Sequence, residues 1–171
     1  ATWSALDLSS ELIEDRRTRC PVTLPATAFT LRPYQQRALS EATQQDGGVI
    51  VAPTGAGKTV IGLALIAHHQ QRALILVHTQ ELMAQWRDQI AASLAIEAGV
   101  IGGGKRQEGE LITIAMLQTL SKADYLAELE YGLVLIDEAH HSPANTFSGV
   151  VDQLPAYYRY GLSATPERRD G

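Results

Sequence analysis

The apolar run Gly48-Val49-Ile50-Val51 leads into Ala52-Pro53-Thr54-Gly55-Ala56-Gly57-Lys58-Thr59, and that loop leads into Val60-Ile61-Gly62-Leu63-Ala64-Leu65-Ile66-Ala67. Strand, glycine-bearing loop and helix in this order form one βα unit of a phosphate-binding sheet domain. Gly55 and Gly57 lack Cβ atoms, so the backbone there can take positive φ and turn its N–H groups onto oxygens. The helix opening at about Gly57 adds the positive end of its dipole. Lys58 would reach the β- and γ-phosphates of a nucleoside triphosphate, and the Thr59 hydroxyl would ligate Mg2+. The candidate binding set is therefore Pro53, Thr54, Gly55, Ala56, Gly57, Lys58 and Thr59. Ala52 stands where the G-x-x-x-x-G-K-[ST] pattern has its first glycine, so the match rests on Gly57-Lys58-Thr59 and its flanks.

Further along, the chain alternates buried strands with helices. Ala73-Leu74-Ile75-Leu76-Val77 is predicted as a strand and residues 81–90 as an amphipathic helix. Strands are also expected at 98–101, ended by Gly102-Gly103-Gly104, and at 111–115, 133–137 and 157–162. Continuous apolar strands separated by helices imply an α/β fold. The expected sheet is mostly parallel, with helices on both faces and the ligand site at the carboxyl ends of the strands. Residues 1–27, with Leu6, Leu8, Leu12 and Ile13, the cluster Glu14-Asp15-Arg16-Arg17, and Pro21 and Pro25, read as an N-terminal extension feeding a domain that runs from 28 to 171.

Composition narrows the partners. A chain of 171 residues with 45% hydrophobic content fits one domain with a real core. No apolar run approaches a membrane span and no secretory leader opens the sequence, so a soluble, cytoplasmic protein is expected, with nucleoid or nucleus as alternatives. A single cysteine, Cys20, excludes an internal disulfide and reads as inert. The net charge of −5 argues against a broad basic surface, so contact with nucleic acid would be local and weak. Among the five histidines, His68 and His69 are neighbours on a helix, diverge, and read as surface residues rather than as metal ligands.

The strand at 133–136 ends in Asp137-Glu138-Ala139-His140, which sets two carboxylates where the bound phosphates should lie. Asp137 would hold Mg2+, and Glu138 would orient and polarise the water that attacks the γ-phosphate. With Leu162-Ser163-Ala164-Thr165-Pro166 closing the last strand, the chain resembles the superfamily 2 helicases and translocases from about residue 29 to 171. FTLRPYQ (29–35) looks like their adenine-reading Q motif, APTGAGKT (52–59) motif I, and HTQELMAQW (78–86) motif Ia. ITIAMLQTL (112–120) looks like motif Ib, DEAH (137–140) motif II, and LSATP (162–166) motif III. LRPYQ, IDEAHH and SATPERRDG are most similar to the branch of XPB, UvsW and the restriction-enzyme motors, and His140 sets the chain apart from the DEAD-box RNA helicases.

The resemblance implies the first of two RecA-like domains, with ATP and Mg2+ as cofactors. It implies that Gln35 bonds the adenine edge with Arg32 beside it, that His140 links the γ-phosphate region to motif III, and that Ser163 and Thr165 couple nucleotide state to movement. It also implies that Thr79, Thr113, Gln118 and Thr119 touch a nucleic-acid backbone, DNA being favoured over RNA. Threonines are equally at home in strands and helix caps, so each keeps a structural alternative. Residues 102–106 read as a surface turn or a second phosphate contact. Tyr34 could stack on a base, whereas Trp86, on its amphipathic helix, reads as core. A second RecA-like domain, in this protein or in a separate chain, would supply arginines to the transferred phosphoryl group. The sequence leaves open a translocating restriction subunit and a non-motor P-loop switch.

Overall fold

The computed structural model describes residues 16–138 and 149–164. Its frame is a seven-stranded sheet: β1 (Gly47–Val51), β2 (Ala73–Val77), β3 (Gly99–Gly102), β4 (Lys105–Gln107), β5 (Ile112–Met116), β6 (Leu133–Ile136) and β7 (Tyr158–Ser163). The spatial order is β1-β7-β6-β2-β5-β3-β4. Every pairing is parallel except β3 with β4, a hairpin that turns at Gly103-Gly104. The carboxyl ends of β1, β7, β6, β2, β5 and β3 therefore share one edge of the sheet.

Burial on both faces explains the unbroken apolar runs. In β2, Ile75 and Val77 pack into one core with Leu63, Trp86, Ile90 and Leu135, while Leu74 and Leu76 pack into a second with Ile101, Leu120, Val134 and Leu154. The faces are covered unequally. The first carries α2 (Lys58–His69) and α3 (Gln80–Leu94), with Leu39 and Ala42 of α1 (Pro33–Ala42) packed against the same core. The second is closed by the short α4 (Leu117–Leu120), a 3-10 turn at Leu126–Glu128 and apolar residues between 150 and 156. α1 starts at Pro33, whose fixed φ suits a first helical position.

The described part of the N-terminal extension laces across the amino ends of the strands. The Thr18 N–H bonds Pro155 O, the Arg72 N–H donates to Cys20 O at 2.8 Å, and Leu24 enters the core at 6% exposure. His69 departs from the expected surface position. Its Nε2 lies 2.9 Å from the Tyr160 hydroxyl and its ring stacks on Tyr158 at 4.0 Å. Burial pushes its pKa down to about 4, with His68 adding to the shift, so the ring stays neutral.

Candidate nucleotide-binding site

The phosphate loop is shaped by main-chain hydrogen bonds. Its first residue, Ala52, donates its N–H to Ser163 O at 2.9 Å, which continues the β1–β7 ladder. The loop then turns on itself through Ala56 N–H to Pro53 O at 3.1 Å. Gly55 within this turn and Gly57 just after it take φ of +82° and +74°, the left-handed region that favours glycine. Gly57 is the N-cap of α2, so the first N–H groups of that helix have no intrahelical acceptor and open toward the loop. Ala52 is not among the described residues with positive φ, and it is buried, so a glycine is not needed at that position.

α1 clamps the loop from outside. Gln35, 4% exposed, donates from Nε2 to Ala56 O at 3.0 Å and accepts the Arg32 N–H on Oε1 at 2.9 Å. The Tyr34 hydroxyl donates to the same Ala56 carbonyl at 2.8 Å, and the Arg32 guanidinium lies 3.5 Å from that hydroxyl. Between α1 and the loop lies an open, largely apolar groove of about 490 Å³, lined by Tyr34, Ala38, Ile50, Val51, Pro53 and Ile61 among others. The Gln35 amide reaches the groove through Ala56, which lines it.

Two acidic residues close the site from β6. Asp137, 7% exposed, accepts the Trp86 indole N–H on Oδ2 at 2.8 Å and the Glu138 N–H on Oδ1 at 3.0 Å. Burial pushes the Asp137 carboxyl above its ordinary pKa, opposed by the Trp86 N–H and the Lys58 charge. Glu138 takes φ of +55°, a conformation non-glycine residues seldom hold, and it turns its carboxylate back toward the loop. Its Oε1 lies 3.8 Å from Lys58 Nζ, and that ammonium also reaches Ala52 O at 3.5 Å. Lysine, glutamate and loop carbonyl thus meet at one point above the carboxyl ends of β1, β7 and β6. Ser163 is buried at the end of β7, and His140 and Thr165 lie outside the described residues.

Of the residues expected on a nucleic acid, Thr79, Gln118 and Thr119 fall on the neighbouring half of the edge, beyond β2 and β5, whereas Thr113 lies near the amino end of β5. Thr79 is the N-cap of α3, where its hydroxyl accepts the Leu82 N–H at 3.2 Å. Gln118 is exposed and braces His78 O at 3.0 Å from Nε2, and Thr119 is half-buried in α4. Thr113 does not fit the expectation. It is 0% exposed, because its strand is covered on both faces, and its hydroxyl accepts Gly109 N–H at 2.9 Å and the Tyr131 O–H at 2.8 Å. A group so enclosed cannot hold a phosphate of a polymer. Of the 102–106 stretch, the tip is the β3–β4 hairpin turn, and Arg106 is engaged, 3.6 Å over the Tyr125 ring and 3.6 Å from Glu108.

The set fits a nucleoside triphosphate with its cation: two glycines at positive φ, a part-buried ammonium, and a carboxylate fixed at the end of a central strand. Among the described residues no cluster of three or more histidine, cysteine, aspartate or glutamate side chains could hold a metal by itself, and no helix is long and apolar enough to cross a membrane.

Known proteins point the same way. The chain is 34% identical over 166 residues to the DNA 3'-5' translocase XPB2 of Sulfurisphaera tokodaii, covering 97% of this chain and 38% of that protein. It is 35% identical to the DNA 3'-5' helicase XPB of Kineococcus radiotolerans, covering 99% of this chain and 31% of that one. The chain thus spans only about a third of such relatives. Among solved structures, the UvsW helicase of bacteriophage T4 superposes with a TM-score of 0.69 at 21% identity, over 84% of this chain and 56% of that one. The Sulfolobus solfataricus SWI2/SNF2 ATPase core in complex with dsDNA gives 0.69 at 21% over 85% of this chain and 34% of that one. At that identity the superpositions speak for the fold, which is the RecA-like one. Residues 28–168 match the family described as the type III restriction enzyme, res subunit, and the chain belongs to that family as a first RecA-like domain of superfamily 2, similar in sequence to the XPB proteins.

Proposed function

We propose that this domain binds Mg2+·ATP above β1, β7 and β6 and hydrolyses it as one half of a motor that moves on DNA. The observation that carries the reading is the meeting of Lys58 Nζ and Glu138 Oε1 at 3.8 Å over the glycine loop, beside the buried Asp137. A γ-phosphate placed there would draw Lys58 from Glu138, whose carboxylate would accept a proton from the attacking water. The amides of the loop and of the first turn of α2 would hold the remaining oxygens. Thr59 and Asp137 would hold Mg2+, which when bound neutralises charge developing on the phosphates. The groove beside Tyr34 offers a surface for the base, with Gln35 and Arg32 proposed to meet the base edge; Gln35 bonds Ala56, which lines the groove.

His140, Ser163 and Thr165 are proposed to pass the state of the γ-phosphate to the rest of the motor. Thr79, Gln118 and Thr119 are proposed for the nucleic-acid backbone, which uncharged side chains and N–H groups can hold without reading sequence. The DNA assignment is supported by the relatives' names. A second RecA-like domain would bring arginines to the far side of the nucleotide, an effect of about 10³ to 10⁵ in rate. The test is reconstitution. The 171-residue chain should bind ATP and turn it over very slowly, and adding the second domain should restore DNA-stimulated hydrolysis. Vigorous DNA-stimulated turnover by this chain alone would defeat the half-motor reading.

A further inference from the structure

Both oxygens of Asp137 are taken by protein N–H groups, and one of these comes from α3, outside the phosphate loop and its helix. The indole Nε1–H of Trp86 donates to Oδ2 at 2.8 Å, and the backbone of Glu138 serves Oδ1 at 3.0 Å. Trp86 is 0% exposed, and no space is left for its ring to rotate away. It packs on Gly62 of α2 so closely that a Cβ at Gly62 would stand 2.8 Å from Cη2 of the indole and 2.7 Å from Cδ2 of Leu135. The ring is therefore wedged between the helix that follows the phosphate loop and the strand that carries Asp137.

We infer that Trp86 is a positioning residue for the carboxylate that holds the cation. A carboxylate at a strand end can rotate about its Cβ–Cγ bond, and an indole donor on one oxygen fixes the plane and with it the direction of the lone pairs left over. Outer-shell donors of this kind commonly change metal affinity by about 10- to 100-fold when removed. The indole adds no charge to the site and acts on the carboxylate as a neutral donor. The inference rests on the proposed reading of Asp137 as the Mg2+-holding residue.

Trp86→Phe retains an aromatic ring in the wedge and deletes the donor. Calorimetric titration of the protein with ATP over a series of Mg2+ concentrations should show the Mg2+ midpoint raised by about 10-fold, with affinity for ATP in excess chelator unchanged. An unchanged midpoint overturns the inference while leaving Asp137 as the cation residue. A wild-type protein whose ATP binding ignores Mg2+ altogether overturns that reading and the inference with it. A second measurement stands if the phenylalanine variant fails to fold. The chain has two tryptophans, so in Trp3→Phe the remaining indole N–H resonance belongs to Trp86. That resonance should move on adding Mg2+ to the ATP-bound protein and stay in place when ATP is added with chelator. A resonance blind to Mg2+ would overturn the inference.

Discussion

The carboxyl edge of the sheet has two halves built on different terms. Above β1, β7 and β6, the candidate side chains are anchored in the protein: Gln35 and Asp137 are buried, and Lys58 and Glu138 face each other across the loop. Above β2 and β5, the candidates are a helix cap and a brace at the surface, Thr79 and Gln118. A small polyanion can be enclosed, so its site repays rigid positioning before the ligand arrives. A polymer lies across a surface, and the groups that meet it must stay accessible while still holding their own loops in shape. The first half should fail abruptly on single substitutions, and the second only by degrees.

The largest effect is expected at Glu138. In the complete motor, Glu138→Gln should keep ATP affinity and lose hydrolysis by about 10²- to 10⁴-fold, because the amide preserves shape and cannot accept the water's proton. Single-turnover measurements that show retained chemistry would assign the base elsewhere. Next comes Lys58→Ala, which deletes a charge-assisted hydrogen bond worth about 1.5–3 kcal/mol, or roughly 10- to 100-fold in ATP affinity. The fold should survive, and calorimetry on a variant with a native melting profile decides the matter.

The smallest effects separate a structural threonine from a surface glutamine. Thr113→Val should lower stability by about 1–3 kcal/mol, since it strands the Gly109 N–H inside the protein and leaves the Tyr131 hydroxyl only Glu108 Oε2 at 3.2 Å, and should leave DNA affinity unchanged once the variant is folded. Gln118→Ala should do the reverse, with a melting temperature close to wild type and DNA affinity reduced by less than about 10-fold, roughly one hydrogen bond. Should Thr113→Val weaken DNA binding at native stability, the division of the edge is wrong.

Much of the nucleotide half was legible in the chain because its signals are local. Gly57-Lys58-Thr59 and Asp137-Glu138 are contiguous runs at strand ends, and each strand that leads to them is long enough and apolar enough to be read by itself. The strands at 73–77 and 133–136 stand where the apolar pattern put them. What escaped is what depends on distant partners. α1 has a hydrophilic face that hides its periodicity behind an arginine-proline start, and β4 is three exposed polar residues that become a strand only by pairing with β3. The resemblance of its motif assigns Thr113 to a nucleic acid, and the threonine itself carries no sign that both faces of its strand are covered. Its partner Tyr131, pushed up to about 12 by burial, is 18 positions away. The Trp86–Asp137 bond spans 51 positions and has no trace in either segment taken alone.

The hydrogen bond from the Ala52 N–H to Ser163 O is made wholly of main chain. It ties the first residue of the phosphate loop to the last residue of β7, so a shift in either strand end is felt by the other whatever side chains they carry. Systematic alanine scanning would walk past this link without registering it. Replacing the amide at position 52 by an ester, which removes the donor and keeps the side chain, is the kind of chemistry that would expose it.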